Sequence, residues 1–394
     1  MLLCLAWTSG LPAVHAQSGH VLLPFVGSVP KPSELDNIVI NEVNSANISG
    51  LLDEDGDAED WVELYNKGAS AITLTGVGLS DDVTKPFKWV LPDLATIPAG
   101  GYLIVFVSEK NRIVPILHTN FKLKNGVEPV VLTAPDGTRL DEYAPRQSRA
   151  DFSIGRSPNG TGMVQYLGAP TPGAANNVAA FAEMLLPPSF SVQPGFYTNT
   201  ISLSLLHSSP GTTIRYTLDG SPPTANSAIY TGPINIASRV GQPNVYALTP
   251  TVPSNYWFAP LESTYMGTVV RAASFRSGSM SSGIRSGTYF VSPDAKERYS
   301  GLPVVSLVVN PADFWDQQRG ILVPGPNAEP EFPFYKANFW QNWERPALFE
   351  YFTAARTLGV AQNVGVQLHG AWSRGYRSKS FNINARDAFG PGAD

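Results

Sequence analysis

NIVINEVNS, residues 37–45, and WVELYN, residues 61–66, alternate apolar and polar side chains with a period of two, the spacing of strands that bury one face. The same period returns at 102–107, 129–134 and 139–143. Turn signals separate these runs: Ala99-Gly100-Gly101, Asn125-Gly126 and Asp136-Gly137. Short strands at this spacing predict a β-sandwich. The pattern stops in GAPTPGAANN, residues 168–177, whose two prolines and scarce apolar content cannot continue a sheet. That stretch reads as the linker that closes a first domain, 33–178.

A chain of 394 residues suits two to three domains, because single cores stop growing near roughly 250–300 residues. Only 15% of the residues are charged, while Gly (35) and Pro (34) are abundant, the balance expected where many tight turns join many strands. The net charge of −5 and the absence of a long basic run exclude a nucleic-acid partner. MLLCLAWTSGLPAVHA, residues 1–16, is apolar and ends in Val14-His15-Ala16, a signal-peptide pattern that lacks only the usual positive start. Cleavage after Ala16 and a secreted or cell-surface location are expected. The single cysteine, Cys4, lies in that segment, so the mature core holds without disulfides. No later run of about twenty apolar residues predicts a transmembrane segment.

A second domain is expected over 187–292. GTTIRYTLDGSPPTANSAIYTGPINI runs a strand into an Asp-Gly turn and back, and TVVRAASFRSGSMSSGIRSGTYFV adds two more alternating runs. A Pro- and aromatic-rich stretch, 239–265, interrupts it as an inserted loop. At Leu302 the texture changes. LPVVSLVVN reads as a buried strand, PADFWDQQRG as a short helix opened by Pro, and the segments from WERPALFEYF onward as further strands of a third domain, 300–394.

Two clusters carry potential chemistry. In the loop Asp53-Glu54-Asp55-Gly56-Asp57-Ala58-Glu59-Asp60, the carboxylates at Asp53, Asp55 and Asp57 alternate as at the start of a calcium loop, with Asp60 beside them. Gly56 falls between the second and third Asp, and Leu64 holds the twelfth position, so a solvent-facing acidic turn stays open as the alternative. The second cluster is Arg374, Arg377, Lys379 and Arg386, with Lys379 and Phe381 on one strand face. Such cations suit phosphate or nucleotide contact; a charged strand edge that resists aggregation is the alternative. Glu344 and Glu350 are expected to pair with that patch. The five histidines, 15, 20, 118, 207 and 369, show no metal-ligand spacing, and no nucleophile elbow or Gly-rich phosphate loop is present.

Three resemblances follow from these residues. VINEVNS, DEDGDAEDWVELYN, IPAGGYLIV, FKLKNGVEPVVLTAPDG and SIGRSPNGTG, in this order, resemble the lamin tail domain family. That resemblance implies an immunoglobulin-like sandwich serving as a binding or spacer module, of the kind bacterial exported proteins carry. YTLDGSPPT, residues 216–224, is similar to the C-terminal sandwich of chitobiases and β-hexosaminidases, which implies a fibronectin-like accessory unit without catalytic residues. VVSLVVNPADFW, WERPALFEYF and above all GVQLHGAWSRGYRSKSFNINARDAFG, residues 365–390, resemble the N-terminal portion of the spore-coat protein H (CotH) family of atypical protein kinases. The matching positions are Gly370, Ser373-Arg374, Lys379-Ser380-Phe381, Arg386 and Phe389-Gly390. The resemblance implies ATP and Mg²⁺ as cofactors, with catalytic carboxylates further along than Asp394. The expectation is thus a mainly β chain: two immunoglobulin-like sandwiches followed by an incomplete α+β kinase-like N-terminal lobe. Its expected function is to bind or present a surface protein or glycan, with no catalytic residue inside the chain; in full length, the alternative is a kinase acting on Ser/Thr.

Overall fold

The computed structural model describes residues 33–261 and 264–385. The signal-peptide reading of 1–16, Cys4 and Arg386 lie outside the described residues. The described chain is mainly β, built of several sheets. No helix among these residues is long and apolar enough to cross a membrane.

In the first body, a seven-stranded sheet is centred on Ile38–Asn44 and Trp61–Asn66, which pair antiparallel. A four-stranded sheet that includes Gly78–Ser80, Val130–Thr133 and Arg139–Tyr143 lies against it. Ile40, Leu64 and Val105 from one sheet and Leu79, Leu132 and Tyr143 from the other share a single core. Alternation predicted one buried face for 37–45, yet all seven residues of Ile38–Asn44 are buried. The register slips between Ile40 and Glu42, and this bulge lets Ile38, Ile40 and Val43 all reach the core. The opposite side is covered by 168–177, so this stretch is not the free linker its composition suggested. It lies back over the sheet, and Ala180–Phe181 then adds an edge strand to Met163–Leu167.

The second body has a five-stranded sheet in which Thr213–Thr217, Thr268–Phe275 and Arg285–Val291 run antiparallel. Two short pairs, Ile201–Leu203 with Ile234–Ile236 and Ser189–Phe190 with Leu205–Leu206, face it over a core of Leu203, Ile214, Ile236, Val270 and Tyr289. The third is a four-stranded antiparallel meander of Val304–Val309, Glu344–Phe352, Leu358–His369 and Ser380–Asn384, with the short helix Pro311–Trp315. Asn310 caps that helix by accepting the Ala312 N–H at 3.2 Å, and Pro311 supplies the preset first turn.

The inserted stretch 239–265 is a loop, largely exposed over its described residues, that nonetheless lends side chains to the third body's core. Val252 is buried and Trp257 packed in the same core as Phe314, Phe334, Phe339, Val364 and Val366 of the third body. Tyr246 stacks on Trp315 with centroids 5.8 Å apart, and Tyr256 meets Phe334 edge-on at 5.1 Å. The Asp219-Gly220 turn abuts Pro311, and Arg271 donates to Gly220 O at 2.8 Å. Phe196, Phe290 and Phe352 join the two bodies in one aromatic cluster.

Candidate functional site

The acidic loop is closed by a side chain from far along the sequence. Lys110 Nζ donates to Asp53 Oδ2 at 2.5 Å, Asp57 Oδ2 at 2.8 Å and Asp55 Oδ2 at 2.9 Å. One ammonium thus meets the three carboxylates read as calcium ligands. Asp53 Oδ1 meanwhile accepts the N–H groups of Asp55 and Asp57, both at 2.9 Å, an Asx-type closure of the turn. Burial pushes the Asp53 carboxyl up, but Lys110 and those two N–H groups outweigh it and hold it below the usual range. Burial likewise pulls the Lys110 ammonium down, and the three carboxylates more than reverse that.

Two further partners complete the cluster. His118, fully buried, sits between Ser108 Oγ at 2.8 Å on Nδ1 and Glu54 Oε2 at 2.8 Å on Nε2. Arg112 reaches Glu54 at 3.1 Å and Asp55 at 2.7 Å. Ser108 is buried as well, so the serine–histidine–glutamate line offers no exposed nucleophile. Asp60 does not join this cluster. Its Oδ1 accepts the Asn47 N–H at 3.0 Å, and burial pushes its carboxyl up to about 7. Asp53, Asp55 and Asp57, and separately Asp53, Glu54 and His118, present ligand atoms close enough together for one cation.

The basic cluster is brought together only in part. Lys379 lies just before strand Ser380–Asn384 and turns inward: its Nζ donates to Arg374 O at 2.7 Å and Tyr376 O at 3.0 Å, and stands 3.9 Å from the Phe339 ring centroid. Phe381 stacks on Phe314 in that same core, so the shared face expected of Lys379 and Phe381 is present. Burial pulls the Lys379 ammonium down to about 7. Arg374 reaches Trp340 O at 3.5 Å. Arg377 leaves the patch altogether and lies 3.5 Å over the ring of Phe258, in the inserted stretch. Of the two glutamates expected to pair with these cations, Glu350 lies elsewhere. Glu344 accepts from Asn384 Nδ2 at 2.6 Å, and Glu350 is fully buried at the joint with the second body, accepting the Thr288 N–H at 3.2 Å.

Around this patch Phe332, Trp372 and Tyr376 are 39%, 60% and 57% exposed, yet in mutual contact. Phe332 stacks on Tyr376 at 5.6 Å and meets Trp372 edge-on at 6.2 Å.

The bulged first strand and the closed acidic loop both lie within a span that one family model matches. Residues 31–146 match the family model of the lamin tail domain. Residues 192–241 match that of the chitobiase/beta-hexosaminidase C-terminal domain. No curated protein matches the chain. Both matches stop short of their bodies: Ile154–Ser157 pairs with the first strand of the lamin tail domain, and Thr268–Phe275 and Arg285–Val291 complete the chitobiase-type sheet. The matched span of the second ends at the start of the insertion.

Sequence reasoning missed Lys110 and His118. Lys110 stands 57 residues from Asp53, beyond any local spacing rule. In the fold, Glu109 and Asn111 on either side of it take positive φ of 66° and 50°.

Proposed function

We propose that this chain is the binding and presentation part of an exported protein, holding a surface protein or glycan against its C-terminal face, and that the CotH-like segment forms most of that face. One observation carries the reading: three exposed rings, Phe332, Trp372 and Tyr376, meet on the surface of the segment that also carries the exposed Arg377. Arg377 rests on Phe258 and makes no side-chain hydrogen bond or ion pair among the described residues, so its N–H donors are available to a partner. Large rings with a free guanidinium are the residue types that dominate binding energy at interfaces. The apolar N-terminal sixteen residues support export.

A kinase reading rests on the 365–390 resemblance, with ATP and Mg²⁺ as its cofactors and Lys379 as its phosphate contact. Two of the three N–H donors of Lys379 are already held by the carbonyls of Arg374 and Tyr376, which leaves one for phosphate contact. One experiment addresses both. The chain is incubated with an immobilised surface fraction, intact or protease-treated, in the presence of labelled ATP and Mg²⁺. Retention is expected, falling about 30-fold or more in a Trp372→Ala, Tyr376→Ala variant if these rings are hot spots worth about 2 kcal/mol, with no label transferred. Unchanged retention in the variant removes the binding face; label transfer by this chain reverses the order of the two readings.

A further inference from the structure

Beneath residues 168–177 lies a polar site whose protons can be counted. Thr171 Oγ1 is 2.6 Å from Glu42 Oε2 and 2.8 Å from Asn176 Oδ1. A threonine hydroxyl carries a single proton and cannot donate to both. Asn176 cannot supply the second by turning its amide over. Its Nδ2 donates to Asn41 O at 3.1 Å and Arg156 O at 2.9 Å, and backbone carbonyls only accept, which fixes Oδ1 toward Thr171. The remaining proton belongs to Glu42. We infer that Glu42 is a neutral acid donating from Oε2 to Thr171, and that this one proton latches 168–177, the approach to the second body, onto the first sandwich.

The surroundings agree. Glu42 and its cross-strand partner Glu63 are both fully buried. Thr171 N–H donates to Glu42 Oε1 at 2.9 Å, while Glu63 accepts Gly173 N–H at 2.6 Å and Asn41 Nδ2 at 2.8 Å. The other titratable groups facing the pair are Tyr102, Asp141, Tyr143 and Arg156. Arg156, the one cation among them, is held by both oxygens of Asp141 at 2.7 and 2.8 Å and neutralises neither glutamate. Burial pushes the Glu42 carboxyl up, and it pushes Glu63 up to about 7 with the neighbouring Glu42 adding to it. Acids raised in this way stabilise the latched state fully below their unfolded range and lose that contribution as pH rises through the folded one. Once Glu42 is ionised, the Thr171 proton turns back to it. Asn176 Oδ1 then faces a lone pair, and two carboxylates share a dry site.

Amide hydrogen exchange across 168–177 in the whole chain, from about pH 5 to pH 8 and corrected for intrinsic rates, tests this. Protection there is expected to fall with rising pH, by at most about tenfold per pH unit for one proton, while that of 61–66 stays level. Glu42→Gln substitutes an N–H donor for the O–H and is expected to keep the segment protected at the upper end. Level protection in the unmodified chain overturns the latch. So does a Glu42→Gln variant already loose at the lower end, because an ionised Glu42 would need to accept from Thr171. If that variant does not fold, the carboxyl carbon signals of labelled glutamate in the unmodified chain decide: one unionised well above the ordinary range is expected, and none overturns the inference.

Discussion

The lamin tail domain and the C-terminal meander close their cores in opposite ways. In the former, every buried residue of the core lies between Leu35 and Tyr143, and the side chains that close its loops, such as Lys110, come from the same body. In the latter, Val252 and Trp257 arrive from the second body's insertion to cover Phe334 and Phe339. A self-contained core can be carried from protein to protein, and its pattern is complete in one stretch of sequence. A shared core has no complete pattern in either partner.

The comparison breaks most visibly at the insertion. Replacing 243–261 with a short Gly-Ser linker removes Val252 and Trp257, and burial of two such side chains is worth about 3–5 kcal/mol. Scanning calorimetry should show the transition of the C-terminal body lowered or lost while that of the lamin tail domain stays put. If the meander melts unchanged, its core is its own.

Lys110→Met probes the closure of the first body. Asp53 then keeps a buried carboxylate without its cation, at a cost of about 2 kcal/mol, less than a fully buried pair because the Lys110 side is partly open. The sign with pH follows from the depressed Asp53: its contribution is present above the unfolded range and lost as pH falls through the folded one. The melting difference between variant and parent should therefore vanish in acid. Calcium at millimolar levels is expected to raise the melting temperature of the variant and not that of the parent, since Lys110 already meets all three carboxylates. A calcium shift in the parent would show that the ion displaces the lysine.

The smallest effect is at the joint between the second and third bodies. Glu350 has one oxygen without a hydrogen-bond partner, and burial pushes its carboxyl up. Glu350→Gln removes the ionisation while keeping the shape. It should change stability near neutral pH by about 1 kcal/mol or less and flatten the fall in melting temperature of the C-terminal bodies as pH rises. A slope identical to the parent's would place the titration elsewhere.

Much of the fold was legible in the chain. The period-two runs at 37–45, 61–66 and 139–143 are strands, and PADFW is the short helix its Pro predicted. The bulge after Ile40 was not, since one extra residue in a strand leaves no compositional mark. The acidic loop was legible as a cluster of carboxylates but not as one met by a lysine 57 residues away. The basic cluster was legible as charge, whereas its division between Lys379 turned inward and Arg377 laid on Phe258 depends on a loop from another body.

By itself, then, the sequence determined what local periodicity and turn chemistry govern: a mainly β chain, where its strands fall, and two stretches that match known sandwich families. Only tertiary structure decided what depends on groups far apart in the chain. It placed 168–177 over two buried glutamates and put Val252 and Trp257 of the insertion into a neighbour's core. The physical reason is the same in both: Pro-rich segments carry no period of their own, so their place is set by the polar groups and apolar faces that need covering.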